Sequence, residues 1–310
     1  MSASTRGPLS PHNPLVAGAG KYRKPPHIIT LLLLPLVIVI AFSLIGGLIL
    51  NGAVPESLEG SSLAMALVVQ NLDYVIPFGL MIVVLAAWVV LREKRPLSTL
   101  GLGRKGAVRK YAMGMACGIA LYLACMALLI VVGAVRVEQA LELGPLVALL
   151  VISGLAGFVV QGAAEEIIFR GWQLPALASK YGIPVAVGLS ALTFTALHLI
   201  ADVDSLLVFP FLFVFAVLLS LYALSDRCIW GVCGFHAAWN WMDTNPFGIA
   251  GQGTTFSTSL FSYTITGDLY YVINIAVLCA GIVILLAMPA ARARNTGSEP
   301  LPGERVKENA

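Results

Sequence analysis

The chain has 310 residues, of which 58% are hydrophobic and 11% charged, and its mean hydropathy is +0.89. Soluble domains carry about 25% charged residues, so this composition excludes a soluble globular protein and points to a polytopic membrane protein. The net charge of +3 supports no argument for nucleic acid as a partner; in a membrane protein the division of charge among the loops carries the information.

Apolar runs long enough to cross about 30 Å of hydrocarbon, roughly 20 residues each, predict an all-α fold of eight membrane helices. In chain order they fall at 28–50, 74–91, 111–135, 146–161 and onward, 183–201, 206–224, 228–241 and 269–288. The seventh is short and polar at its end. The first run follows 27 residues of tail and is itself long enough to span, so it reads as an uncleaved first helix and not a signal peptide. Residues 28–288 form the expected membrane domain, with its chemistry concentrated in 146–241, helices four to seven. Residues 1–27 and 289–310 are polar and rich in Pro, Gly and Ser, and both read as disordered cytoplasmic tails.

Basic residues set the expected orientation. With the N-terminus in the cytoplasm, 18 of the 19 Lys and Arg fall on the inner side, seven of them in 92–110, and only Arg136 falls outside. Acidic residues such as Glu56, Glu59, Asp73, Glu138, Glu142, Asp202, Asp204 and Asp268 gather in the outer loops. The expected location is the cell membrane, multi-pass, with both termini cytoplasmic. The five cysteines form no C-x-x-C pair and read as free thiols packed as small hydrophobes. "GMACG" (114–118) in the third helix is a GxxxG stretch, whose ordinary meaning is close helix packing.

Strongly polar residues inside the apolar runs are few, and they are concentrated in the second half. "QGAAEEIIFRGW" (161–172) places Glu165, Glu166 and Arg170 at the end of a membrane-spanning run; "FTALH" ends on His198; "HAAWN" carries His236 and Asn240. An acidic side chain at a helix centre costs roughly 2.5–3.5 kcal/mol on translocon scales, so such residues face a bundle interior or a wet cavity. Glu166 and Arg170 are i and i+4, the spacing of an ion pair with the acid first. That leaves Glu165 about 100° round the helix. His236 and Asn240 share a stripe by the same spacing. A water between Glu165 and His198 could lose a proton to the carboxylate, while His236 and Asn240 donate to an oxyanion forming on a carbonyl. That combination is suited to amide hydrolysis, and a poorly solvated carboxylate is a better base than a hydrated one.

In this order, E-E-x-x-x-R, F-x-x-x-H and H-x-x-x-N over 165–240, the sequence resembles the CPBP family of intramembrane proteases. That family includes the type II CAAX prenyl endopeptidases and bacterial relatives linked to bacteriocin processing or self-immunity. The resemblance implies an eight-helix fold and a glutamate-dependent endopeptidase with no metal or other cofactor. It also implies that Glu165 and His198 activate water, that His236 and Asn240 stabilise the oxyanion, and that Glu166, Arg170 and Phe194 shape the site. The implied partners are the lipid bilayer and a membrane-associated protein or peptide substrate.

Three other readings stay open on the sequence. A metalloprotease would use Glu165, His198 and His236 as ligands, although there is no H-E-x-x-H and no obvious fourth group. A transporter or proton relay would also place Glu and His in the membrane, but no inverted repeat accompanies them. A non-catalytic immunity protein would keep the fold without turnover.

Overall fold

The structure is a computed structural model that describes residues 7–10, 12–21, 26–53, 63–140, 144–198, 205–247, 261–265 and 267–296. Acids expected in outer loops at Glu56, Glu59, Glu142, Asp202 and Asp204 lie outside the described residues, as do 1–6 and 297–310 of the tails.

Apolar sequence makes helix here because hydrocarbon leaves backbone N–H and C=O groups no partner except one another. A short α1 (Pro14–Ala17) precedes α2 (Ile28–Ala53) and α3 (Leu63–Ala87), and a π-helical turn over Trp88–Arg92 ends the third. Next come α4 (Ala107–Val131), strand β1 (Val135–Ala140), α5 (Pro145–Ser153) and α6 (Leu155–Glu166). A second π-helical stretch, Ile167–Gln173, joins α6 to α7 (Leu174–Tyr181), and Gly182, with φ of 82°, turns the chain into α8 (Ile183–His198). The remainder is α9 (Val208–Asp226), α10 (Trp230–Thr244), strand β2 (Phe261–Ile265) and α11 (Leu269–Thr296).

Among the described residues six helices are long and apolar enough to cross a membrane, the longest running 35 residues from Val147 to Tyr181. Their outer faces carry large apolar side chains with nothing to cover them in the monomer, such as Leu44 (65% exposed), Leu48 (73%) and Val131 (82%). Such a belt suits lipid, not water. The chain is an all-α, multi-pass membrane protein. The two further helices of the expected eight are shorter, α8 with 16 residues and α10 with 15.

Several expected boundaries are corrected. The second membrane helix begins at Leu63, eleven residues before the expected 74, and so takes in Gln70, Asn71 and Asp73. Two of these polar residues are tolerated because neighbours satisfy them. Gln70 and Asn245 exchange side-chain amide bonds at 3.1 Å, while Asn71 donates to Leu67 O (2.8 Å) and accepts from the Gly157 N–H (2.6 Å). Residues 12–21, expected to be disordered, pack instead. Asn13 caps α1 by accepting from Leu15 N (3.0 Å) and donates to Leu224 O (2.9 Å), and Leu15, Val16 and Ala19 are buried. Composition missed this because a few well-placed anchors suffice to order so short a segment. The last helix continues to Thr296, past the expected 288. A two-stranded antiparallel sheet, with Val135 opposite Ile265 and Ala140 opposite Phe261, is an addition the helix count did not include.

The core around the site is assembled by α10, which packs against α4 and α6, with α8 and α9 closing the other side. Glycines set the α4–α10 distance. A Cβ on Gly114 would overlap the Gly231 carbonyl oxygen, one on Gly234 the Tyr111 carbonyl oxygen, and one on Gly118 would lie 2.6 Å from the Phe235 oxygen. The GxxxG stretch thus holds the helix that carries His236 and Asn240.

Candidate active site

Sequence places the acids of the site at the end of α6, where the helix does not stop. A helix ending at Arg170 would have left Glu165 too near a membrane surface, about 7 Å at 1.5 Å per residue, so a continuation towards Leu177 bent at Pro175 is expected. The structure continues to Tyr181, but the accommodation is a π-helical stretch. Pro175 has no N–H and its ring crowds the carbonyl four residues back. Widening the preceding turns, with Leu174 N bonded to Phe169 O, relieves that conflict. Gly171 allows the stretch to lie against the chain after α3, since a Cβ there would meet Leu100 O at 2.8 Å. Trp172 donates to Glu93 (2.7 Å), which also holds Trp88 (3.0 Å) and Arg95 (2.7 Å); Trp172, Glu93 and Arg95 are buried and Trp88 partly so.

Glu166 and Arg170 form the expected pair, Oε1 to Nη1 at 2.9 Å, with both side chains fully buried. Arg170 also donates to Ala216 O on α9 (3.1 Å) and lies 4.7 Å from the centroid of Phe194, over whose ring its charge is stabilised. His236 joins this pair, with Nδ1 2.8 Å from Glu166 Oε1. An ionised carboxylate can only accept, so Nδ1 carries the proton in that contact and Nε2 is turned the other way. Nε2 lies 3.7 Å from Glu165 Oε2. One imidazole therefore bridges both glutamates.

Glu165 is 6% exposed, and its two oxygens differ. Oε1 accepts from Gln161 Nε2 at 3.0 Å, whereas Oε2 has no hydrogen-bond donor among the described residues. Asn240 Nδ2 donates to Gln161 Oε1 at 3.0 Å, so a chain of amides links Asn240 to Glu165. His198, at the end of α8, has Nδ1 2.9 Å from Phe194 O, and its ring lies 4.6 Å from that of Phe194. Phe194 in turn lies 6.2 Å from His236, so its ring touches the surroundings of both histidines.

Of these side chains, His198, His236, Asn240, Gln161 and Phe194 line one cavity of about 300 Å³, with further aromatic rings, Asp243 and Thr244. A direct Glu165–His198 contact is not among the bonds; the shortest partners of Glu165 are Gln161 and His236. Sequence reasoning missed Gln161 and Asp243. Both carry a helical signal: Gln161 is four residues before Glu165, and Asp243 is three after Asn240.

Chemically the arrangement offers a carboxylate oxygen free to take a proton, an imidazole next to it, and an amide with one N–H spare.

Residues 147–242 match the family described as type II CAAX prenyl endopeptidase Rce1-like. No curated protein and no solved structure matches the chain. The matched segment runs from α5 through α10 and contains Glu165, Glu166, Arg170, Phe194, His198, His236 and Asn240. Over this segment the chain is similar to the CAAX-protease, or CPBP, family.

Proposed function

We propose that the protein is a glutamate-dependent intramembrane endopeptidase that hydrolyses a peptide bond of a membrane-associated protein or peptide. The observation that carries this reading is the buried Glu165 carboxylate with one oxygen tied to Gln161 and the other without a donor among the described residues, behind Gln161 and His236, which line a cavity of about 300 Å³. In the proposed cycle a water held between Glu165 and His198 gives its proton to Glu165 Oε2 as its oxygen attacks the scissile carbonyl. His236 and the spare N–H of Asn240 donate to the oxyanion. Collapse of the tetrahedral intermediate breaks the C–N bond, and Glu165 returns the proton to the leaving amine. Glu166, itself held by Arg170, anchors His236, and Phe194 packs near both histidines.

A metal held by Glu165, His198 and His236 was the nearest rival. Among the described residues no three His, Cys, Asp or Glu side chains are grouped to hold one, and no observation favours it. Comparative peptidomics of membranes from cells with the wild type and with Glu165→Ala tests the proposal. The expected result is at least one peptide pair whose cleavage disappears with the carboxylate; identical peptidomes would overturn it.

The proposal places the protein in the cell membrane with both termini in the cytoplasm. Cysteine-accessibility labelling is expected to find Ser98→Cys on the inner side and Ser61→Cys on the outer. Labelling of both from one side would overturn the orientation.

A further inference from the structure

Asp243 has no part in the proposed cycle, yet it lines the same cavity. It belongs to the face of α10 that carries His236, Asn240 and Thr244, at helical spacings of four, seven and eight residues from the histidine. One oxygen, Oδ1, accepts from Tyr122 OH (2.7 Å) and Tyr270 OH (3.2 Å), from α4 and α11. Two phenol donors fix this oxygen in place. Oδ2 has no hydrogen-bond partner among the described residues, and no basic side chain meets Asp243 there. Glu166, by contrast, is paired with Arg170 at 2.9 Å, and Glu165 has the His236 ring 3.7 Å from its second oxygen. A carboxylate set in a bundle interior without a cation is costly, and conformations that present it to a bound cation offset that cost.

We propose that Asp243 is a specificity-determining residue that receives a lysine or arginine side chain of the substrate. Seven residues along α10 separate it from His236, about 10 Å at 1.5 Å per residue, a span that an extended peptide covers in about three residues. The basic residue therefore lies about three positions from the scissile bond. Its aliphatic stem runs along Trp239, Phe211 and Leu212, which line the same cavity, and its charged end meets Oδ2. The distance from the scissile bond rests on the protease reading; the cation preference rests on Asp243 alone.

The test measures binding, so that it does not depend on turnover. Purified protein carrying Glu165→Gln, which keeps peptides intact, is titrated with apolar hexapeptides in which one lysine replaces norleucine at each position in turn. The expected result is one register at which lysine tightens binding at least tenfold, with the gain lost in Glu165→Gln/Asp243→Asn and reversed in favour of a glutamate peptide in Glu165→Gln/Asp243→Lys. Asp243→Asn retains a carbonyl oxygen for both tyrosines, and an unchanged Tm shows that its effect is not one of folding. Equal affinity for the lysine and norleucine peptides at every position, seen with Asp243 itself in place, would overturn the proposal, as would a lysine preference that survives Asp243→Asn. Should the preference hold while turnover is indifferent to Glu165→Gln, the subsite stands and the proposed chemistry falls.

Discussion

Glu165→Gln is expected to reduce kcat by about 10²–10⁴ while Tm and substrate Kd stay near those of the wild type. The substitution is nearly isosteric, and its carbonyl oxygen can still accept from Gln161 Nε2 as Oε1 does now. What is lost is the second oxygen, which has no donor among the described residues and is replaced by an amide that cannot take a proton. The amide would also turn an N–H towards His236 Nε2, now 3.7 Å from the carboxylate. Single-turnover kinetics on the peptide found by peptidomics separates chemistry from binding. Equal rates for wild type and variant would end the view of Glu165 as the base.

Glu166→Leu is expected to act on the fold instead. It strips Arg170 of its partner in a fully buried place and takes away the Nδ1 acceptor of His236. Breaking one side of a buried pair costs about 3–5 kcal/mol, because the remaining charge stays uncompensated. Removing both charges is often close to neutral, so Glu166→Leu/Arg170→Met should recover much of the stability lost in the single variant. Activity should not return with it, since His236 would still lack its anchor. Thermal denaturation in detergent, followed beside turnover, checks both halves. A single variant as stable as the wild type would show that the pair carries no such load.

The apolar runs and the three motifs were legible because hydrocarbon imposes a length on helices and a penalty on stray charge. The same penalty made Glu165, Glu166, His198 and His236 stand out one by one. Their partners were harder to foresee. Spacing within a helix finds Arg170 for Glu166, but the bond from His236 to Glu166 joins residues 70 positions apart. Gln161 and Asp243 looked like ordinary polar residues near helix ends, and only packing turned them towards the cavity. The π-helical stretch before Pro175 was also out of reach: the proline announced a disturbance, and the surrounding contacts chose its form. At 12–21 composition argued for disorder, but one capping asparagine bonded to Leu224 O outweighed it.

The glycine seam between α4 and α10 bears on how a substrate enters. Backbone lies against backbone at Gly114 and Gly231 and again at Gly234 and Tyr111, with no side chain between to yield. Sliding α10 by one turn, about 5.4 Å, would bring Phe235 opposite Gly114, where no side chain fits. This seam therefore opposes any slide of α10, and with it any change in the depth of His236, Asn240 and Asp243. On the proposed function, a peptide would enter by the wall where Phe211, Leu212 and Phe215 of α9 line the cavity. Tethering α4 to α10 should thus leave entry unimpeded, whereas tethering α9 to α10 should shut the door.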